Sequence, residues 1–378
     1  MPIQIHDLSE IRPANSHEFD IGTDTLGFKW QQLQSGKSAG VEQVTLRCGQ
    51  KTITVLATRG MGIWEATHGG VRFGWNSPID GPIHPQWVPL SEPSGLGWLD
   101  GFDEMLVRCG LAANGAPEFD SRNQLASPLH GRIANLPASN VQIEIDDQAE
   151  TISIRGTVHE NRFHIQRLQL ETEITLRADS HEISIADRVT NLSDRPASFQ
   201  MLYHNNFGPP ILEAGSQFFA PIKKLVPRND HAAQNVETWN QFQGPDPTYA
   251  EQVYFAELHA GPDNQTLAVV TNREKTLAAS VRFDVSTLPY LSIWKNTVGM
   301  ADGYVTGIEP GTNFPNPRGF EEQHDRVVRL PPGQHTDLNL AIGMLVKPAH
   351  VQAALEAVDN LAGDAQILES PTDNWCSV

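Results

Sequence analysis

The chain has 378 residues, of which 39% are hydrophobic, and its 30 glycines and 26 prolines follow no period. This composition supports a sizeable core and excludes collagen-like and disordered classes. The 27 Lys and Arg against 45 Asp and Glu give a net charge of −18, with no basic stripe along the chain. Because such a charge repels a phosphate backbone, we exclude nucleic acid as a partner.

The cysteines and the chain's start bear on the cellular compartment. Cys48, Cys109 and Cys376 are odd in number and widely spaced, which argues against a disulfide framework or a zinc site. The first residues have no basic region followed by an apolar run, and no stretch approaches the about 18 apolar residues of a membrane span. We therefore predict a soluble, cytoplasmic protein that does not bind a membrane.

The N-terminal part of the chain alternates between turns and short strands. Residues 1–40 are mixed and polar, and we interpret them as an irregular lead-in with room for one short strand. Residues 41–75 have the β-branched and aromatic content of a meander. Arg59 lies at one of its turns, where it either points into a cavity or caps the turn. Residues 76–100, rich in Pro, Gly, Ser and Trp, predict a long loop that lines a site.

A short apolar segment follows this loop and ends in a turn. Arg108 and Asn114 lie at its end and are candidate donors to ligand hydroxyls. The tryptophans of the preceding loop suit the same kind of ligand, since an indole stacks on the apolar face of a pyranose. A tryptophan that packs its own loop against the core is at least as common.

The clearest strand pattern lies at residues 139–207, where apolar and polar residues alternate between short turns. Such alternation predicts antiparallel sheet with one solvated face, and it brings His204 to the end of a strand. Further strands are predicted between residues 253 and 346, and only residues 349–361 have the apolar stripe of a helix. The pattern favours one all-β domain that spans the whole chain.

The stretch at residues 306–318 places one carboxylate, Glu309, among glycines and prolines. These residues fix a backbone but disfavour regular structure, so we predict an ordered loop directly after a strand. A solvated loop glutamate is the alternative. Two upstream segments, residues 129–132 with His130 and residues 202–207 with His204, also end strand-like runs and favour a functional role.

A histidine and a carboxylate that face each other across a cavity can remove one proton and deliver another in a single event. Ring opening of a cyclic hemiacetal requires this pair and needs no metal or other cofactor. The motifs GxSxG, GxGxxG, HExxH and the P-loop are all absent, which disfavours the chemistries they support. His159 and His164 have no evident carboxylate partner, and we interpret them as surface residues.

Three segments together resemble the landmark motifs of the aldose 1-epimerase (galactose mutarotase) superfamily, and in the same order. They are Leu-His130-Gly-Arg, Tyr-His204-Asn-Asn-Phe, and Gly-Ile-Glu309-Pro-Gly followed by Leu-Pro-Pro-Gly. The resemblance is closest to an uncharacterised branch, a domain of unknown function, and covers about residues 40–346. It implies a large antiparallel β-sandwich of the galactose mutarotase type, with proton transfer at the anomeric carbon in the concave face of one sheet.

The resemblance also implies roles for individual residues. Glu309 corresponds to the general base, His204 to the general acid and His130 to a substrate-binding histidine. Arg108, 22 residues before His130, corresponds loosely to a family arginine. The usual His-Pro-Tyr-Phe around the acid is His-Asn-Asn-Phe here, and the family's acidic sugar-binding residue has no clear counterpart. The predicted substrate-binding residues are His130, Arg108, Arg59, Asn114, Arg132 and Trp294.

Three functions remain open at this point. The first is an aldose 1-epimerase-like isomerase, a mutarotase acting on a monosaccharide as a monomer or homodimer. The second is a non-catalytic carbohydrate-binding protein, and the third is another carbohydrate enzyme, a lyase or hydrolase, on the same scaffold. Retention of Glu309 with both histidines favours catalysis, and a hydrolase would need two flanking carboxylates. Sugar phosphates are disfavoured because no Lys/Arg cluster lies near the motifs. We expect the Glu309 carboxylate and the His204 ring to lie on the order of 5–8 Å apart.

Overall fold

β-Strands make up most of the regular structure of the protein, for which a computed structural model describes residues 3–12 and 16–377. The first strands are β1 (Gln4–Asp7), β2 (Glu18–Gly22), β3 (Leu26–Gln32), β4 (Glu42–Cys48), β5 (Lys51–Leu56), β6 (Gly62–His68), β7 (Val71–Phe73), β8 (Leu106–Leu111), β9 (Glu118–Phe119), β10 (Leu125–Ser127), β11 (Ala138–Asp146) and β12 (Thr151–Arg162). The remaining strands are β13 (Gln166–Arg177), β14 (Glu182–Asn191), β15 (Ala197–Phe207), β16 (Gln217–Phe219), β17 (Ile222–Pro227), β18 (Gln252–Leu258), β19 (Gln265–Thr271), β20 (Ala278–Asp284), β21 (Tyr290–Asn296), β22 (Val305–Gly311), β23 (Val328–Leu330), β24 (His335–Leu345) and β25 (Gln366–Ile367). The α-helices are α1 (Leu8–Ile11), α2 (Asp230–Ala233), α3 (Arg318–Gln323) and α4 (Pro348–Leu361).

Two large sheets contain nearly all of these strands. The first has the order β1-β11-β12-β13-β14-β24-β20-β19-β16. The second has the order β2-β3-β4-β5-β6-β8-β15-β22-β21-β18-β17-β25, with β7 beside β6 and β23 beside β15. Neighbouring strands are antiparallel, apart from the parallel pair β17 and β25. The predicted all-β fold, a large antiparallel β-sandwich, is confirmed.

The core lies between the two sheets and is formed by every second residue along their strands. In β14, Ile183, Ile185 and Val189 are buried while their sequence neighbours are largely exposed, as expected for a strand with one solvated face. They belong to one large apolar cluster that contains residues of both sheets. Asp187 occupies the inward position between Ile185 and Val189, so β14 brings a carboxylate into the core.

Two local predictions differ from the structure. The N-terminal lead-in contains β1, β2 and β3, where one short strand was expected, because Phe28 and Trp30 bury one face of β3. Glu309 lies inside β22 and not in a loop. Pro310 is tolerated in this central strand because its missing N–H falls at an interruption of the pairing with β15.

The connection from β7 to β8, residues 74–105, has only two short 3₁₀ turns, in agreement with the predicted long loop. In the described parts of the chain, every helix is too short or too polar to cross a membrane.

Candidate active site

His204 on β15 and Glu309 on β22 lie side by side. The pair Asn205–Ile308 fixes the register of these antiparallel strands, and in that register His204 stands opposite Glu309. Cross-strand partners project from the same face of a sheet, so the side chains meet. His204 Nε2 lies 3.2 Å from Glu309 Oε1. The separation is therefore shorter than the expected one, and the two groups touch each other directly.

Gly307 provides the space for this contact. A Cβ atom at Gly307 would lie 2.4 Å from Glu309 Oε1 and 3.2 Å from His204 Cε1. Both distances are below ordinary van der Waals contact, and Gly307 is two residues before Glu309 on the same face of β22. A side chain at Gly307 would therefore displace the carboxylate.

We expect Gly307→Ala to separate the pair without unfolding the protein, since the backbone at Gly307 is not left-handed. A displacement of about 1 Å at reacting groups costs on the order of 10²-fold in rate, and an enzymatic rate that depends on this pair should fall by a comparable factor. Gly244→Ala is the control, because the nearest atom to a Cβ there is 3.4 Å away. Equal rates for the two variants would show that the contact has no role.

Burial dominates the electrostatics of the pair, because only 3% of Glu309 and 5% of His204 is exposed. It raises the pKa of Glu309 well above its ordinary value, an effect that Glu251 strengthens and Arg228 opposes. It lowers the pKa of His204 well below its ordinary value, as does nearby His130. Both shifts favour the neutral forms of the two groups.

Two atoms of the pair have no hydrogen-bond partner among the described residues. They are Glu309 Oε1 and His204 Nδ1, and both are buried. The short separation from His204 does not give Oε1 a hydrogen bond of acceptable alignment. Unpartnered buried polar atoms are costly and uncommon in native proteins, and here they mark a place where a polar ligand would gain hydrogen bonds.

His130 approaches the pair from the turn after β10. Its φ is 56°, and its ring is nearly perpendicular to that of His204, with 5.5 Å between centroids. His130 Nδ1 lies 2.8 Å from the carbonyl oxygen of Asn114, so Nδ1–H donates and Nε2 is left as an acceptor. Burial lowers the pKa of His130 to about 4. His130 is therefore a neutral acceptor at neutral pH.

Asn114 acts on the site through this carbonyl. Its side-chain amide exchanges two hydrogen bonds with the amide of Asn313, at 3.0 and 2.9 Å, and is fully buried. The side chain of Asn114 is thus occupied by the protein. It positions the turn that orients His130, and it is not placed as a free donor.

Aromatic rings surround His204. Phe102, Trp294 and Trp98 have ring centroids 5.1, 5.3 and 6.4 Å from that of His204. Trp98 and Phe102 come from the long loop, which therefore lines this site. Trp98 is almost fully buried, whereas Trp294 and His130 are half-buried. Trp294 and His130 are therefore the parts of this surround that solvent reaches.

Arg108 does not join these residues. Along β8, Val107 is the register partner of His204 and shares its face, so Arg108 projects to the opposite side, into the core. There its guanidinium donates to both carboxylate oxygens of Asp187, at 2.5 and 2.9 Å, to Thr172 Oγ1 and to the carbonyl of Met61. Arg108 joins the two sheets and lies away from the candidate site.

Arg59 and Arg132 also lie elsewhere. Arg59 is buried and pairs with Glu104 at 2.6 Å. Its other donors go to Asn135 Oδ1 and to the carbonyls of Ile83 and Gly101, so it fastens the long loop. Arg132 lines a separate cavity behind the His130 turn. Of the eight predicted site residues, the structure brings together Glu309, His204, His130 and Trp294, with Asn114 behind His130.

Besides Phe102 and Gly307, four polar residues act on the site and were not predicted. Asn206 is two residues after His204 on the same face and opposes the lowering of the His204 pKa. Ser292 is the register partner of Glu309, and its buried hydroxyl has no partner among the described residues. Asn206 lies two residues after His204, and Ser292 lies two residues before Trp294. Residues two apart in a strand share a face, so the sequence could have indicated both. Arg228 and Glu251 act on Glu309 by charge from loop positions that gave no such signal.

Metal ligation has no support in the side-chain arrangement. Among residues 3–12 and 16–377, no group of three or more His, Cys, Asp or Glu side chains is placed to hold a metal ion.

The sandwich has the fold of galactose mutarotase-like proteins. Residues 38–344 match the family described as "Domain of unknown function (DUF4432)", and the chain belongs to that family. A protein of known structure from Klebsiella pneumoniae, provisionally described as an aldose 1-epimerase, is 36% identical over 98% of this chain and 99% of its own, with a TM-score of 0.92. The predicted resemblance to this superfamily and its uncharacterised branch is confirmed.

More distant structures share the fold alone. A galactose mutarotase-like protein from Clostridium acetobutylicum is 15% identical over 85% of this chain and 100% of its own, with a TM-score of 0.58. The galactose 1-epimerase from Lactobacillus acidophilus is 12% identical over 84% of this chain and 98% of its own, with a TM-score of 0.56. No curated protein sequence matches the chain significantly.

Proposed function

We propose that the protein is an aldose 1-epimerase-like enzyme that interconverts the anomers of a free monosaccharide. The observation that carries this proposal is the contact of His204 Nε2 with Glu309 Oε1 at 3.2 Å, in a buried site walled by aromatic rings. A site that only binds sugar has no need of a matched acid and base. Among the described residues, Glu309 is the only carboxylate within 4.0 Å of a His204 ring nitrogen.

The reaction requires two proton transfers to the substrate. The Glu309 carboxylate removes the proton of the anomeric hydroxyl, the bond between C1 and the ring oxygen breaks, and the His204 imidazolium protonates that oxygen. Rotation about the C1–C2 bond of the open aldehyde, followed by the reverse steps on its other face, yields the opposite anomer. Both protons return to their original groups.

The protonation state of the pair is compatible with this scheme. Burial favours a neutral carboxyl at Glu309 and a neutral ring at His204, and the proton on that carboxyl is the one that His204 would deliver to the ring oxygen. Transfer of this proton to His204 Nε2 produces the imidazolium and the carboxylate. A bound sugar would favour the transfer, because its hydroxyl and its ring oxygen provide partners for both charged groups.

His130 is proposed to bind a substrate hydroxyl through its acceptor Nε2. We expect His130→Asn to raise KM about 3- to 10-fold, the value of one ordinary hydrogen bond, with little change in kcat. The reason is that such a hydroxyl is held equally in the ground state and in the transition state. Steady-state kinetics on the best substrate would measure both constants. A large loss of kcat with unchanged KM would instead place His130 among the groups that react.

The proposal is tested by following anomer equilibration by NMR or polarimetry, with a panel of freshly dissolved aldoses and the purified protein. We expect faster equilibration of at least one aldose than in buffer. A sugar that binds but equilibrates at the buffer rate would favour the carbohydrate-binding alternative. Cleavage of a glycoside without anomerisation would favour a lyase or hydrolase.

A further inference from the structure

A second cavity lies behind the His130 turn and has a different chemical character. It measures about 590 Å³ and lies between the tip of the β12–β13 hairpin, the turn that carries Arg132 and the segment before β15. Four arginines line it, whereas Glu160 is the only carboxylate among its lining residues. The arginines are Arg132, Arg162, Arg195 and Arg318.

This local excess of cations is notable in a chain with a net charge of −18. The guanidinium groups of Arg132 and Arg162 make no hydrogen bond or ion pair with another described residue. Arg195 uses one donor on the carbonyl of His164, at 2.9 Å. Arg318 donates to Ser198 Oγ at 2.6 Å and to the carbonyl of Ala112. Most donors of the cluster therefore remain available.

Glu160 offsets only part of the cluster's charge, because it interacts by charge with Arg132 and Arg318. It is 4% exposed and accepts hydrogen bonds from the backbone N–H of Leu111 and of Ala112 and from Gln166 Nε2, at 2.7, 3.3 and 2.8 Å. Burial raises the pKa of Glu160. The Glu160 carboxylate thus binds the backbone at the end of β8. The four arginines line the cavity.

We propose that this cavity is a second ligand site, which binds a small molecule through a phosphate group. Guanidinium groups present planar pairs of donors that match phosphate oxygens, and pockets of about 300–1,000 Å³ suit small ligands. None of the cavity's lining residues belongs to the His204–Glu309 pair or its aromatic wall. From the sequence, phosphates were disfavoured because no Lys/Arg cluster lies near the motifs. The fold brings four arginines from distant segments together at this cavity.

The test is calorimetric binding of inorganic phosphate, glucose 6-phosphate and glucose to the intact protein at low ionic strength. Arg162 and Arg195 are exposed and lie outside the candidate active site, so the variant Arg162→Gln/Arg195→Gln removes two cavity cations with little risk to the fold. Arg177→Gln/Arg273→Gln is the control, because it removes the same charge from exposed positions (51% and 70% side-chain exposure) outside the cavity lining.

We expect both phosphate probes to bind the unaltered protein, and the cavity variant to weaken them by about tenfold or more, with less than a twofold change in the control. Tighter binding of glucose 6-phosphate than of inorganic phosphate would identify a phosphate ester as the ligand, and equal binding would identify the free anion. Absence of binding by both phosphate probes, or equal weakening in the two variants, would overturn the proposal. Glucose binding that is unaltered in the cavity variant would assign glucose to the other site.

Discussion

Glu309→Gln should lower the rate of anomer interconversion by about 10²- to 10⁴-fold, the usual contribution of a positioned proton-transfer group, while sugar binding persists. Glutamine preserves the shape of the side chain beside His204 and Gly307 but has no basic oxygen. Equilibration rates and sugar affinity should therefore separate in this variant. Glu274→Gln, at a position with 74% side-chain exposure, is the matched control and should retain the full rate.

The same variant has a signature in stability. Burial raises the pKa of Glu309 in the folded protein above its unfolded value, so folding favours the protonated form. The resulting stability is fully present below the unfolded pKa and is lost as the pH rises through the folded pKa. Glutamine does not titrate. The melting temperature of Glu309→Gln relative to the unaltered protein should therefore increase with pH above about 4.3, as thermal unfolding across pH would show.

Two outcomes would contradict this assignment. A Glu309→Gln protein that equilibrates anomers as fast as its parent, on a sugar that the parent turns over, would remove Glu309 from the mechanism and leave sugar binding as the better function. A relative melting temperature that does not change with pH would contradict the raised pKa of the buried carboxyl.

Arg108→Met should lower the free energy of unfolding by about 3–5 kcal/mol, because it leaves the charge of Asp187 buried without its counter-charge. Both side chains of this pair are inaccessible to solvent. Among the residues that the structure describes, only the Tyr203 hydroxyl, at 2.9 Å, would still donate to the Asp187 carboxylate. The double variant Arg108→Met/Asp187→Leu should recover much of the loss, since apolar side chains of similar volume replace buried ion pairs well. Denaturant unfolding measures both effects.

Arg188→Met is the control for this experiment. Arg188 pairs with Asp337 at 2.7 Å, but both side chains are about half exposed, and such surface pairs contribute little. Its loss should leave the free energy of unfolding nearly unchanged. Equal destabilisation by Arg108→Met and Arg188→Met would mean that the contact between the sheets does not hold them together. A rise in KM in folded Arg108→Met would return Arg108 to the substrate-binding residues.

Strand alternation was sufficient to predict the sandwich, and the ordered motifs were sufficient to bring His130, His204 and Glu309 into one prediction. Alternation failed on β8, because all six of its residues are buried and no solvated face distinguishes the two sides. The sequence therefore could not show that Arg108 faces away from His204. We predicted a loop around Glu309 because Gly and Pro locally disfavour strands. In the structure this segment is a strand between two neighbours, and Gly307 there leaves space for the Glu309 side chain.

Long-range assembly was the other limit. The cavity arginines come from four segments between residues 132 and 318 that have no local pattern in common, and only the pairing of β12 with β13 and of β15 with its neighbours brings them together. The same applies to the charges at Arg228 and Glu251, which reach Glu309 from loops.

The hydrogen bonds of Arg59 to the long loop affect the entropy cost and the size selectivity of sugar binding. One buried guanidinium bonds to Ile83, Gly101 and Glu104 at once, so the segment that carries Trp98 and Phe102 is already ordered before a ligand arrives. Binding then incurs little conformational entropy cost for ordering this segment. Selectivity by size would follow from the same rigidity, because a sugar too bulky to fit beside Trp98 and Phe102 meets a wall that does not move to receive it.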